Sequence, residues 1–189
     1  MSYCLCREDL CIPDARITLC CPIAAPVPSD LFDSRQTAEL MTFLHPEAKG
    51  MVCRSTRSDY GFTIVYAVPP EFDRFLNENY PQAAVCHCDA ERIALAMLES
   101  KSENAPCVRI YTEAGRSCVI AVDGGHLQLC NRYATPDPAD ILYFLAEICD
   151  QLHWSQADTR VCCDTNCPAK ALISERFTHC KAFIPSICE

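Results

Sequence analysis

Apolar positions in the second half of the chain follow strand spacing and then helix spacing. Apolar residues dominate three short runs, at 108–112, 117–122 and 127–133, which predict three consecutive strands. The second turn is Asp123-Gly124-Gly125, and Asp-Gly readily adopts the positive φ angles of a tight hairpin. This stretch therefore predicts a meander.

The clearest helix follows the meander. Asp137 is expected to cap it, Pro138 lies in its first turn, and Asp140 stands three residues beyond the cap. Apolar residues then recur at helical spacing, at Ile141, Leu145, Ile148 and Leu152. Three more elements are expected: a strand at 161–163, a helix at 169–177 and a strand at 180–184. The order β-β-β-α-β-α-β predicts an α/β fold with a mixed sheet covered by helices.

The first half begins with a buried strand at 17–21. The proline-rich segment 22–28 is expected to be a loop, because proline cannot donate to a strand ladder. A helix that contains Leu40 and Leu44 should end at His45-Pro46, since proline disfavours helical geometry in the residue before it.

Two strands, at 52–59 and 62–68, are expected to pair around Tyr60-Gly61. Pro69-Pro70 then opens a helix, and Asp89 is predicted to cap the next one. The polar stretch 101–106 ends in proline and indicates a boundary.

Composition restricts the partners and the compartment. The chain has 189 residues and a net charge of −9, with its 16 lysines and arginines scattered singly. Such a surface repels phosphate backbones, so we expect no nucleic-acid partner. No apolar run approaches the ~20 residues needed to span a bilayer, and the polar amino terminus is unlike a secretory signal. We therefore expect a cytoplasmic protein that is not inserted in a membrane.

Cysteine is unusually frequent, with 17 residues. Cys118 and Cys130 fall in apolar strand patterns and Cys149 lies on the apolar face of a helix, where a small hydrophobic residue is typical. An odd number of cysteines without a secretory signal favours reduced, mostly buried thiols over a disulfide framework.

Several segments resemble known proteins. The β-β-β-α-β-α order resembles one half of the actin-like ATPase fold, whose subdomains are ribonuclease H-like. Val65-Tyr66-Ala67-Val68-Pro69-Pro70-Glu71 and Cys88-Asp89-Ala90-Glu91-Arg92-Ile93-Ala94-Leu95-Ala96 are similar to segments of its pilus-assembly PilM branch, as are residues 117–133 with their Asp-Gly-Gly hairpin and Asn-Arg-Tyr strand end.

The chain more closely resembles a bacterial domain-of-unknown-function family that has been assigned an actin-like ATPase fold. The resemblance implies an incomplete first subdomain at 1–103 with the PilM-like segment, a second subdomain at 104–189, and an amino-terminally shortened chain. The segments that carry it are Leu31-Phe32-Asp33, Phe43-Leu44-His45-Pro46, Ala67-Val68-Pro69, Gly124-Gly125-His126-Leu127, Leu129-Cys130-Asn131 and Leu142-Tyr143-Phe144.

The same resemblance shows where a nucleotide would bind. Working actin-like ATPases use glycine-rich turns, because a Cβ would block close approach of the backbone to phosphate or adenosine. Here Glu113 and Gly115 match the usual Asp-x-Gly of the second phosphate turn only in part. Asp164 falls near the expected adenosine loop, yet no glycine follows residue 125. We therefore expect a degenerate nucleotide site, no cofactor and no enzymatic activity.

Zinc is the main rival chemistry. Cys162, Cys167, His179 and Cys180 could supply soft ligands, although none has CxxC spacing and the adjacent Cys162 and Cys163 should point to opposite faces of a strand. Two lesser candidate sets are Cys86-His87-Cys88 and the group Cys4, Cys6 and Cys11.

Three functions remain open on the sequence alone. The first is a non-catalytic interaction or scaffold protein that binds an unknown protein partner or forms a homodimer. The second is a zinc- or redox-responsive protein that uses the carboxy-terminal cysteines, and the third is a weak ATP-binding protein.

Overall fold

The computed structural model describes residues 4–6, 16–113 and 115–184, with the backbone alone at 4–6. These residues belong to two compact units, one ending at Arg92 and the other beginning at Ile93. Each unit is built around β-strands. The assignment of 1–103 and 104–189 as actin-like subdomains stays a prediction.

The described residues of the first unit form two three-stranded sheets. In one, β2 (Arg16–Cys20) lies between β1 (Cys4–Cys6) and β6 (Ala84–His87), antiparallel to β1 and parallel to β6. In the other, β5 (Phe62–Val68) lies between β3 (Ala24–Pro28) and β4 (Val52–Arg57), with both pairings antiparallel. The predicted pairing around Tyr60-Gly61 is confirmed, and every residue of the central strand β5 is buried.

The predicted loop at 22–28 is wrong. Residues Ala24–Pro28 form β3, an edge strand in which Pro26 is the partner of Ile64 and Pro28 the partner of Phe62. The Ile23 carbonyl accepts from the Ala67 N–H. The backbone N–H and C=O groups of the odd-numbered residues in this segment therefore point toward β5, and the backbone nitrogens of the two prolines point toward the open edge. An edge strand tolerates proline there, because the missing N–H has no ladder partner to lose.

Three helices begin in the first unit. They are α1 (Thr37–Leu44), α2 (Pro70–Asn79) and α3 (Cys88–Glu103). As predicted, α1 ends at His45 before a proline, and Pro70 occupies the first turn of α2. Asp89 lies within the first turn of α3 rather than ahead of it, because that helix begins at Cys88.

The second unit has the predicted order of elements. Its helices are α4 (Pro138–Gln151) and α5 (Lys170–Arg176), and its strands are β7 (Cys107–Glu113), β8 (Arg116–Asp123), β9 (His126–Ala134), β10 (Arg160–Asp164) and β11 (His179–Phe183). They form one sheet in the order β11-β10-β7-β8-β9. The meander β7-β8-β9 is antiparallel, whereas β10 is parallel to β7 and β11 is parallel to β10.

Helices α4 and α5 cover one face of this sheet. Val108, Ile110 and Val161 of the strands belong to the same buried cluster as Leu145 of α4 and Ile173 of α5. The opposite face contacts α3, where Glu99 forms an ion pair with Arg109 and Glu103 forms one with Arg160. The two faces of the sheet therefore differ: the face under α4 and α5 is apolar, whereas the other combines buried apolar residues such as Ile120 and Val122 with ion pairs.

The start of α4 tests how much its cap contributes to stability. Asp137 accepts from the Ala139 N–H at 2.8 Å and Asp140 accepts from the Asp137 N–H at 2.9 Å, which is the predicted capping box. Asp137→Ala should lower the free energy of unfolding by about 1 kcal/mol, measured by urea denaturation. The matched control is Asp150→Ala, which removes an exposed carboxylate from the last turn of α4 and should be neutral or slightly stabilising. Equal losses in the two variants would contradict a capping role.

Candidate functional site

The carboxyl ends of the parallel strands β7 and β10 meet at one edge of the second-unit sheet. Asp164, the last residue of β10, is buried there at 3% exposure. Its carboxylate accepts from the backbone N–H and the hydroxyl of Thr112, the latter at 2.8 and 2.9 Å, and from the Asn166 N–H at 2.9 Å. Asp164 therefore joins the ends of two strands and uses donors of its own chain.

Glu113 and Gly115 lie in the turn between β7 and β8. Glu113 is exposed and is the strand partner of Arg116. Gly115 has a φ of +78°, and its carbonyl accepts from the Thr135 N–H at 2.8 Å. Glu113 directly follows the Thr112 that binds Asp164, so the three nucleotide candidates lie near one edge of the sheet. Their role toward a nucleotide stays a prediction.

The four candidate zinc ligands do not come together. Cys167 and Cys180 lie with Cys163 on the face covered by α4 and α5, where hydrogen bonding to Cys167 and burial raise the pKa of the Cys163 thiol. Cys162 faces the other way, toward Cys107 and Glu99, as the alternation of side chains along a strand requires. His179 is exposed at the start of β11. A single site that uses all four residues is therefore not formed.

The lesser cysteine sets have different outcomes. Within Cys86-His87-Cys88, the ligand atoms of His87 and Cys88 lie within 4.8 Å of each other and of an Asp89 carboxylate oxygen. The side chains of Cys4 and Cys6, and the whole of Cys11, lie outside the described residues.

His87 lies at the junction of β6 and α3 and is completely buried. Its Nδ1 accepts from the Asp89 N–H at 3.2 Å, and its Nε2 lies 3.1 Å from the Cys21 carbonyl oxygen and 3.4 Å from the Cys21 backbone nitrogen. The His87 backbone N–H donates to the Thr56 hydroxyl at 3.0 Å. Since both ring nitrogens bind backbone groups, this histidine holds the junction together, and a metal would have to displace those bonds.

An apolar groove lies on the outer side of α4 and α5. It has a volume of about 340 Å³, and we call it the α4–α5 groove. Apolar side chains form most of it, with a glutamine and an arginine at its margin; the lining residues are Ala139, Leu142, Tyr143, Ala146, Gln156, Arg176 and Phe177. The base is firm because Phe177 belongs to the core of the unit.

Aromatic rings extend the groove along α4. Tyr143 is 63% exposed and meets Phe144 edge-on, with centroids 5.3 Å apart. Phe144 in turn stacks on Tyr133 of β9, with centroids 4.0 Å apart. The stacked pair holds Phe144 and thereby limits the positions open to Tyr143. The result is an ordered apolar surface rather than a single exposed side chain.

Sequence reasoning missed the α4–α5 groove. The apolar residues that the sequence assigns to the core are only one stripe of α4. Ala139, Leu142 and Ala146 form a second apolar stripe at i, i+3 and i+7. A helix that carries two such stripes has more apolar surface than one sheet can cover. That excess was the available signal.

A family model described as "Protein of unknown function (DUF3822)" matches residues 14–187. The chain belongs to this family. No curated protein matches the sequence. Among the described residues, no helix is both long enough and apolar enough to cross a membrane.

The fold of this DUF3822 member is also that of a solved protein. A Bacteroides thetaiotaomicron VPI-5482 protein with actin-like ATPase fold and unknown function superposes with a TM-score of 0.83 at 16% identity, over 93% of this chain and 70% of that one. This similarity confirms the predicted actin-like α/β fold. A structure of the PilM-PilN type IV pilus biogenesis complex matches more distantly, with a TM-score of 0.43 at 10% identity, over 85% of this chain and 65% of the matched chain.

The hydrogen bonds from Thr112 to Asp164, which we call the Asp164 clasp, should stabilise the fold. Asp164→Ala removes the acceptor of two half-buried donors on Thr112 and should lower the free energy of unfolding by about 1–3 kcal/mol. Chemical denaturation followed by circular dichroism measures the loss. Asp158→Ala, which changes an exposed aspartate in the loop before β10, should stay within about 0.5 kcal/mol of the wild type. A fully stable Asp164→Ala variant would show that the clasp contributes nothing.

Proposed function

We propose that this protein is a non-catalytic member of the actin-like fold that binds a protein partner through the α4–α5 groove. The exposed Tyr143 beside an apolar groove is the observation that supports this function most directly. Contiguous apolar surface of this kind typically marks an interaction site, and tyrosine is enriched where binding energy concentrates.

The chemistry of the groove specifies the partner. Its apolar lining suits a large aliphatic or aromatic side chain, while Arg176 at the margin supplies a positive charge in a chain whose net charge is −9. Within the described part of the chain, the Arg176 guanidinium has no ion pair or hydrogen bond. A carboxylate of the partner would form a charge-assisted hydrogen bond with this guanidinium. We therefore propose a segment that presents a large apolar residue next to Asp or Glu.

The setting proposed for this function is the cytoplasm. The described cysteines are free thiols, several of them fully buried in the core, and a reducing compartment keeps such thiols reduced. The proposed partner is a different protein. The alternative is a second copy of this chain bound at the same groove.

Selection from a displayed peptide library tests the groove. Captured peptides should combine a large apolar residue with an acidic one. Tyr143→Ala should weaken their binding about 10- to 30-fold, and Arg176→Ala should weaken the acidic peptides selectively. Phe43→Ala is the matched control, since Phe43 is an 81% exposed aromatic residue of α1 in the first unit.

Two results would count against this proposal. One is peptide capture that Tyr143→Ala leaves unchanged. The other is a dimer, seen by sedimentation, that Tyr143→Ala dissociates, because that result assigns the groove to a second copy of the chain.

The absence of ATP binding is part of the same proposal. In support, the Asp164 carboxylate is buried and already accepts from Thr112 and Asn166, so it is not presented to a magnesium ion. Millimolar Mg-ATP should therefore leave the melting temperature within about 1 °C, since a ligand stabilises the fold only as far as it binds the folded state. A concentration-dependent rise that Glu113→Ala abolishes would instead support the weak ATP-binding alternative.

A further inference from the structure

We infer that Glu99, Cys107 and Cys162 form a binding site for a soft divalent metal ion such as Zn²⁺. The two sulfur atoms and a Glu99 carboxylate oxygen all lie within 4.8 Å of one another. The site lies in the second unit, on the sheet face opposite α4 and α5. It is independent of the α4–α5 groove and of any partner bound there.

Three elements bring these ligands together. Cys107 is the first residue of β7, Cys162 is the central residue of β10, and Glu99 comes from α3, which contacts this face of the sheet. Both thiols are buried, at 1% and 7% exposure. The Glu99 side chain is 37% exposed and marks the route by which an ion reaches the sulfur atoms from solvent.

The strand register favours a metal over a disulfide. Cys162 is the partner of Arg109, so Cys107 stands two residues away along the neighbouring strand. With strands ~4.8 Å apart and a rise of ~3.3 Å per residue, the two Cα atoms are about 8 Å apart. Disulfides need Cα atoms within about 7 Å. A zinc ion with sulfur bonds of about 2.3 Å needs its two sulfur atoms only about 3.8 Å apart.

The surroundings favour ionised sulfur. The positive guanidinium groups of Arg109 and Arg160 lie near Cys162, and positive charge stabilises a thiolate. The thiol protons leave when the ion binds, because the thiolate is the ligand.

Arg109 orients the oxygen ligand. Its guanidinium lies 2.5 Å from Glu99 and 4.2 Å above the ring centre of Phe183, and it donates to the Tyr111 hydroxyl at 3.2 Å. Hydrogen bonds of this kind hold a ligating carboxylate in one orientation. One Glu99 oxygen remains for the metal.

The charges of the site balance when a divalent ion is present. Two thiolates and the carboxylates of Glu99 and Glu103 are negative, while Arg109 and Arg160 are positive. The carboxylates are already balanced by the two arginines, and a divalent cation neutralises the two charges that the thiols acquire when they lose their protons. Two sulfur ligands and one oxygen ligand leave a fourth tetrahedral position open to water.

Cobalt(II) is the probe that tests this site. The full-length chain, reduced and freed of metal, should bind about one equivalent of Co²⁺ with a sulfur-to-cobalt charge-transfer band that Zn²⁺ bleaches. C107A/C162A should lose the band and E99Q should weaken Co²⁺ at least tenfold. The matched control is C163A/C167A, which removes a neighbouring thiol pair from the opposite face of the sheet and should keep the band.

A second measurement keeps the test decisive if the double variants fold poorly. In the wild-type chain, Zn²⁺ should slow alkylation of Cys107 and Cys162 by a maleimide, mapped by mass spectrometry. The alkylation rate of Cys53, a half-buried free cysteine of β4 in the first unit, should stay unchanged. The inference is overturned if Co²⁺ gives no charge-transfer band, if C107A/C162A keeps it, if Zn²⁺ protects other cysteines instead, or if mild oxidation links Cys107 to Cys162.

Discussion

The parallel register between β7 and β10 is the constraint on which the second unit depends. It sets Val161 beside Val108 and Cys163 beside Ile110, so that both strands turn their branched and thiol side chains toward α4 and α5. The same register places Thr112 where its N–H reaches the Asp164 carboxylate. A slip of β10 by one residue would turn Val161 and Cys163 to the opposite face. The core under α4 and α5, the Asp164–Thr112 hydrogen bonds and the proximity of Cys107 to Cys162 therefore all depend on this register.

Much of the fold could be predicted because its signals are local. The capping box of α4 lies within four consecutive residues, and the Asp123-Gly124-Gly125 turn determines the β8–β9 hairpin. The order β-β-β-α-β-α-β then permits few topologies, because connections are short and parallel crossovers have one hand. The proline-rich segment was misassigned because the position of a strand within its sheet, which decides whether proline is tolerated, is not a local property.

The candidate sites were harder to predict for the same reason. Alternation along β10 was sufficient to separate Cys162 from Cys163, but the neighbours of Cys162 come from α3 and β7 and become visible only with the register. The carboxy-terminal cysteines are close in sequence and divided in space, whereas Glu99, Cys107 and Cys162 are distant in sequence and adjacent in space. The α4–α5 groove required knowledge of which helix stripe the sheet had left uncovered.

The prolines of β3 also affect how this protein behaves among other molecules. A sheet edge with free N–H groups is a template on which further chains add, and this is how many β-proteins aggregate. Pro26 and Pro28 remove two of the three outward N–H groups of β3, and the N–H of Ala24 is left. Extension of the sheet by backbone pairing is therefore hindered on this side without the need for a covering element.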